Sequence, residues 1–288
     1  MWILMAVIVL LLIAETIRSN RVLRIETVEI SLDTLPEALD GLKIVHLSDL
    51  HNRSFGKQNR RLVRYIRHHH PDLILCSGDM IERGQEGDAA FCDLLEALGN
   101  RFPVFYSLGN HELRCGWGSA PEETMSRCRE KGAVILDNRV VILEHGAGRL
   151  AIGGYCGPLK WDGREQTLPH APLLPVQRAE LRESLGEKPG GLFTILLAHD
   201  PDGFPDYAAW GADLSLSGHL HGGLWRPFGI GLLSPARRLL PRYSAGLFRR
   251  ERAAMYVSAG LSGSFLPRLF NRPEIAVLTL RAAKEEKS

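Results

Sequence analysis

The sequence predicts an α/β fold whose early strands run parallel. Short apolar runs of strand length recur along the 288 residues. Polar segments of helix length separate the early runs. Five of the runs end in Asp, Asn or His, most of them beside glycine. Strand–helix–strand alternation implies a sheet with parallel pairs.

Val22 to Leu32 alternates as a strand until Leu35-Pro36 interrupts it. Strand-length runs follow at Leu42–Leu47, Leu73–Ser77, Val104–Leu108, Leu150–Ile152, Phe193–Ala198, Leu214–Ser217, Met255–Ser258 and Ile275–Leu280. Helical segments are expected at Lys57–His68, Asp88–Leu98 and Pro121–Lys131. The later strands are closer together, so part of the sheet is expected to be mixed or antiparallel.

The chain is 45% apolar, enough for one large core or two small ones. The net charge of +2 calls for no nucleic-acid partner. Cys76, Cys92, Cys115, Cys128 and Cys156 are odd in number and lack a CxxC pair. A disulfide framework and a zinc ribbon are therefore not expected. His68-His69-His70 precedes Pro71 and reads as an exposed helix end.

Trp2 to Ile17 is apolar but for Glu15 and Thr16, about 24 Å as a helix. It lacks a basic leader and a small-residue cleavage site, so a membrane anchor is favoured over a cleaved export signal or a helix docked on the domain. Arg18, Arg21 and Arg24 follow and predict a cytoplasmic catalytic domain. The expected division is an anchor over 1–20 and a catalytic domain over 21–288, single-pass at the cell membrane.

The strand ends carry the chemistry. They read Ser48-Asp49-Leu50-His51, Gly78-Asp79, Gly109-Asn110-His111-Glu112, Ala198-His199-Asp200-Pro201 and Gly218-His219-Leu220-His221-Gly222-Gly223. Ligands bind at the carboxyl ends of strands in open α/β sheets. About 30 residues, one crossover, separate Asp49 from Asp79 and Asp79 from Asn110. Each motif alone has an ordinary reading as a turn, a helix cap or a core histidine. Their ordered recurrence points to metal. Asp49, His51, Asp79, Asn110, His199, His219 and His221 exceed one ion's needs and suit two. Oxygen and imidazole donors suit Mn²⁺ first, with Fe or Zn²⁺ also possible.

In this order the motifs resemble those of the calcineurin-like metallophosphoesterases. The resemblance implies a four-layer α/β/β/α sandwich with two mixed central sheets. It implies that Asp49, His51 and His221 hold one ion, that Asn110, His199 and His219 hold the other, and that Asp79 bridges them. It also implies that His111 assists catalysis without ligating. Arg226-Pro227-Phe228-Gly229, Ser258-Ala259-Gly260-Leu261 and Asn271-Arg272-Pro273-Glu274-Ile275 resemble the bacterial membrane-anchored branch. Some members of that branch hydrolyse UDP-2,3-diacylglucosamine. Leu220, Leu224 and Asp200-Pro201-Asp202 depart from the branch pattern, which bears on substrate preference and not on metal binding.

The expected function is hydrolysis of a phosphoester at the membrane, on a phospholipid-like or nucleotide-lipid substrate. A hydroxide shared by the metals attacks phosphorus, and His111 serves as general acid. Glu82, three residues after Asp79, is expected to orient His111. The alternatives are a phosphodiesterase of soluble nucleotides and a catalytically silent scaffold. The scaffold should lack ligands, and this chain lacks none. Seven arginines interleave with apolar residues over Leu224–Arg252. That composition fits either a lipid-facing rim or an ordinary cover loop.

Overall fold

The computed structural model describes residues 1–82, 87–114, 121–157, 178–235, 237–263 and 266–283. Cys115 lies outside them. Helix α1 (Trp2–Arg21) opens the chain. Strands β1 (Arg24–Leu32), β2 (Lys43–Leu47), β3 (Leu73–Cys76), β4 (Val104–Tyr106) and β5 (Ala133–Ile135) follow. Between them lie α2 (Arg60–His69), α3 (Ala89–Leu98), the short α4 (Asn110–Arg114) and α5 (Pro121–Glu130). The second half holds β6 (Arg139–His145), β7 (Gly148–Tyr155), α6 (Arg178–Leu185), β8 (Phe193–Ala198), α7 (Phe204–Trp210), β9 (Leu214–Ser217), β10 (Gly246–Arg250), β11 (Ala253–Val257) and β12 (Glu274–Ala282).

These strands form two six-stranded sheets, ordered β1-β12-β2-β3-β4-β5 and β10-β11-β9-β8-β7-β6. In the first, β2, β3, β4 and β5 are parallel neighbours and β12 runs antiparallel to β2. In the second, β7, β8, β9 and β11 are parallel, with antiparallel edges at β6 and β10. Both sheets are mixed, as expected.

Alternate residues explain why the strands read as unbroken apolar runs. Ile44, Leu73, Leu75 and Phe105 of the first sheet meet Phe193, Ile195, Leu197, Leu214 and Leu216 of the second in one core. Their neighbours Val45, Leu47, Ile74, Val104 and Tyr106 point the other way, onto α2, α3 and α5. Leu196 and Ala198 turn outward beneath Leu181 of α6 and Tyr207 and Trp210 of α7. The result is a four-layer α/β/β/α sandwich. Each fully buried Leu or Ile here contributes about 1.5–3 kcal/mol.

Every strand expected from the sequence is present, with ends shifted by at most three residues. Six elements were not among the expected ones: β5, β6, β10, α4, α6 and α7. Within the Leu224–Arg252 stretch, Gly246–Arg250 is a strand of the second sheet, where Phe248 packs on Tyr243 at 5.0 Å between ring centroids. α2 ends at His69 with His70 left-handed, and no metal cluster forms there among the described residues. The four described cysteines are free and buried.

Helix α1 is longer than expected, running 20 residues to Arg21. It is long and apolar enough to cross a membrane, and almost none of it is buried against the protein.

Candidate metal centre

The strand ends converge because parallel neighbours deliver their carboxyl ends to one edge. Asp49 N donates to Gly78 O at 3.1 Å, and His51 N to Asp79 O at 3.0 Å. Gly218 N donates to His199 O at 3.1 Å. His219 N donates to Asp49 Oδ1 at 3.1 Å, which joins the two sheets at the site. The approach is close enough to require glycine twice. A Cβ on Gly109 would collide with the Asp79 carboxylate, and one on Gly218 with Ser48 and Asp49.

The backbone is also held in unusual conformations. Asp49, His51, Asp79, His219 and His221 all have φ between 45° and 66°. Left-handed non-glycine residues cost about 1–3 kcal/mol each and gather at functional sites. Here the inter-loop hydrogen bonds hold them, and five of the seven expected ligands share the feature.

The structure brings six of the seven together in two clusters. Asp49, His51 and His221 place ligand atoms within 4.8 Å of one another, as do Asp79, His199 and His219. Asp79 Oδ2 lies 3.1 Å from His199 Nε2 and 3.8 Å from His51 Nε2, so it sits between the clusters. His51 Nε2 and His221 Nε2 face each other at 3.3 Å. Asn110 opens α4 beside Asp79, and its Oδ1 is buried with no hydrogen-bond partner.

Two outer contacts set the ring orientations. His199 Nδ1 donates to Ser77 O at 2.8 Å, and His221 Nδ1 donates to Ser262 O at 3.1 Å. A carbonyl can only accept, so both rings carry their proton on Nδ1 and present Nε2 to the site.

The charges demand a cation. Asp49 and Asp79 are almost fully buried, and among the described residues neither forms an ion pair with Lys or Arg. Buried carboxylates are costly unless compensated. Imidazoles alone compensate unevenly. Burial works against charge on His199, yet Asp79 and Asp49 raise it to about 10. Burial and the charged His199 push His219 down to about 4, and burial pushes His221 down to about 3. Neutral imidazoles, buried carboxylates and an orphaned amide oxygen form a donor set that fits divalent metal.

His111 and Glu82 lie beside the clusters. His111 Nδ1 is 2.9 Å from Glu82 Oε1, and His111 N donates to Asp79 Oδ1 at 2.8 Å. The expected Glu82–His111 contact is present. Glu82 Oε2 is also 3.2 Å from His51 Nδ1, so it touches a ligand candidate as well. Burial lowers the affinity of His111 for a proton, but Asp79 and then Glu82 raise its pKa to about 9.

Glu112 was not among the expected site residues. It is buried and accepts from Gly109 N at 2.7 Å, Asp79 N at 2.9 Å, Met80 N at 2.7 Å and Ile81 N at 3.2 Å. Tyr106 Oη donates to it too. It fastens the β3 loop to the β4 loop and so holds Asp79 in place. Its signal was the last letter of the Gly-Asn-His-Glu motif.

A four-layer sandwich with two clusters of Asp and His at its strand ends suits a metal-binding hydrolase. Comparison with known proteins gives the family. A model described as "Calcineurin-like phosphoesterase" matches residues 42–223, well over half of the chain, and the chain belongs to this family. Among its relatives is the uncharacterized metallophosphoesterase YkuE of Bacillus subtilis (strain 168), 27% identical over 266 residues, covering 90% of this chain and 86% of YkuE. Phosphodiesterase YaeI of Escherichia coli (strain K12) is 29% identical over 244 residues, covering 83% and 82%. A "Transmembrane protein with metallophosphoesterase domain" from Danio rerio is 27% identical over 271 residues. That match covers 90% of this chain but only 58% of the fish protein.

Proposed function

We propose that the chain hydrolyses a phosphoester of a phospholipid-like or nucleotide-lipid substrate at a membrane surface, using two divalent cations, Mn²⁺ before Fe or Zn²⁺. Asp49, His51 and His221 would hold one ion, and Asn110, His199 and His219 would hold the other, with Asp79 placed to serve both. The observation that carries this reading is the position of Asp79 Oδ2, within 4 Å of a histidine from each cluster. When bound, the ions offset charge on the phosphate oxygens and make a water acidic enough to supply the nucleophile near neutral pH.

The chain's own residues supply the rest. His111 Nδ1 rests on Glu82, so its Nε2 faces the site, 4.0 Å from Asp79 Oδ2. From there Nε2 delivers a proton to the departing oxygen. The buried walls exclude bulk water, which strengthens every charge interaction inside. The relative named as a phosphodiesterase supports a diester substrate.

The membrane part of the reading rests on α1, on the relative named as transmembrane, and on the segment after the last motif. Arg238 of that segment pairs with Asp202, three residues after His199. Phe228, Ile230, Leu239 and Leu240 stand exposed on it. Arg18, Arg21 and Arg24 argue for the cytoplasmic face.

Elemental analysis of unstripped, active protein should find two ions per chain. Asp79→Ala should lose activity and at least one ion. Active wild-type protein with one ion or none would refute the dinuclear reading.

A further inference from the structure

The end of α1 is fastened to the catalytic domain by polar side chains. Ser19 is fully buried, and its Oγ accepts from Asn271 N at 3.2 Å. Asn20 pairs with both backbone groups of Arg268: its Nδ2 donates to Arg268 O at 2.9 Å, and Arg268 N donates to its Oδ1 at 3.1 Å. The Arg53 guanidinium donates to Asn20 O. These are unusual roles for the last turn of an apolar helix, whose polar residues ordinarily face water.

One step further in, the same residues reach a ligand candidate. Asn271 Nδ2 donates to His221 O at 2.7 Å and to Leu224 O at 3.3 Å. Arg268 is fully buried and spreads its guanidinium over three carbonyls: Ala259 O at 2.6 Å, Arg272 O at 3.3 Å, and Ser262 O. Ser262 O is the acceptor that fixes the His221 ring through Nδ1. The wide planar fork of a guanidinium matches this spread of carbonyls, which lysine's compact ammonium would span poorly.

We infer that Asn20, Arg268 and Asn271 are positioning residues for His221, and that the end of α1 is part of the outer layer of the metal site. This rests on the reading above that His221 holds a metal. A ligating histidine keeps its orientation through the partner of its other nitrogen, and losing such outer partners costs about 10–100-fold in metal affinity or activity. The helix is thus more than a tether. It sets the geometry of one ion and not of the other, because among the described residues no hydrogen bond joins Ser19, Asn20 or Arg268 to Asp79, His199 or His219.

The test uses the full-length chain in detergent, stripped of metal and titrated with Mn²⁺. Asn20→Ala and Arg268→Lys should weaken one of the two Mn²⁺ dissociation constants about tenfold or more. The weakened ion should be the one lost in His221→Ala, with the second affinity unchanged. Thr16→Ala, whose hydroxyl bonds only Leu12 O within α1, should bind both ions normally. Unchanged affinities with a lowered melting temperature would make the contacts structural and overturn the inference. Equal weakening of both ions would overturn it as well. A wild type that binds a single ion, weakened by Asn20→Ala, would keep this inference and sink the dinuclear reading instead. A wild type that binds none would sink both.

Discussion

His111 shows how a residue beside a ligand acquires a separate task. Its backbone holds Asp79, while its ring leans on Glu82 and offers Nε2 to the site. Replacing it with Ala should cut turnover by roughly 10²–10⁴ while metal content stays near normal. A substrate whose leaving group has a low pKa should recover part of the loss. Metal loss in the variant would mean that His111 ligates. His46 carries a different consequence. Its Nε2 bonds Ser77 Oγ at 2.8 Å, and burial pushes its pKa from 6.5 to about 3. Between those values the unfolded chain binds a proton that the folded chain refuses, so stability rises with pH in that window and falls as acid is added. Denaturant unfolding of wild type and His46→Gln across that range should show the wild type losing up to about 1.4 kcal/mol more per pH unit. Parallel stability curves would refute the assignment.

Among the elements, α1 makes the plainest commitment. Twenty residues span about 30 Å, the thickness of a bilayer's hydrocarbon core. Full-length protein should sediment with membranes and resist salt extraction; recovery in the soluble fraction would rule out the anchor. Protease added outside intact cells should leave the catalytic domain whole, and cleavage there would reverse the cytoplasmic orientation. The elements that the sequence hid are those with weak patterns. β5 is three residues long, α6 buries only Leu181, and α7 carries a proline at its start. β10 was masked by arginines, because an edge strand leaves part of its side chains in water.

In the whole molecule, the four layers hold the metal centre at one end, with the Arg-rich segment beside it. If that segment is a lipid-facing rim, it should matter for lipids and not for small esters. Arginine at an anionic surface contributes about 1 kcal/mol. Changing Arg237 and Arg238 to Ala together with Leu239 and Leu240 to Ser should therefore raise KM for a phospholipid-like substrate about tenfold. Hydrolysis of a small soluble diester should change little, since the metal-site residues and His111 are untouched. Equal losses on both would make the segment structural, and no loss on either would favour a soluble substrate.

The sequence by itself determined the family, the strand ends and the residue types that meet there. It could do so because catalytic chemistry leaves compact motifs at the ends of apolar runs. The tertiary structure alone decided which strands share a sheet, since inner and outer faces of doubly buried strands are equally apolar. Only the fold, too, revealed Glu112 beneath Asp79, the second contact of Glu82 to His51, and Arg268 behind His221. Such contacts join residues up to 248 positions apart, as Asn20 and Arg268 are, and no local pattern in a chain encodes a partner at such a distance.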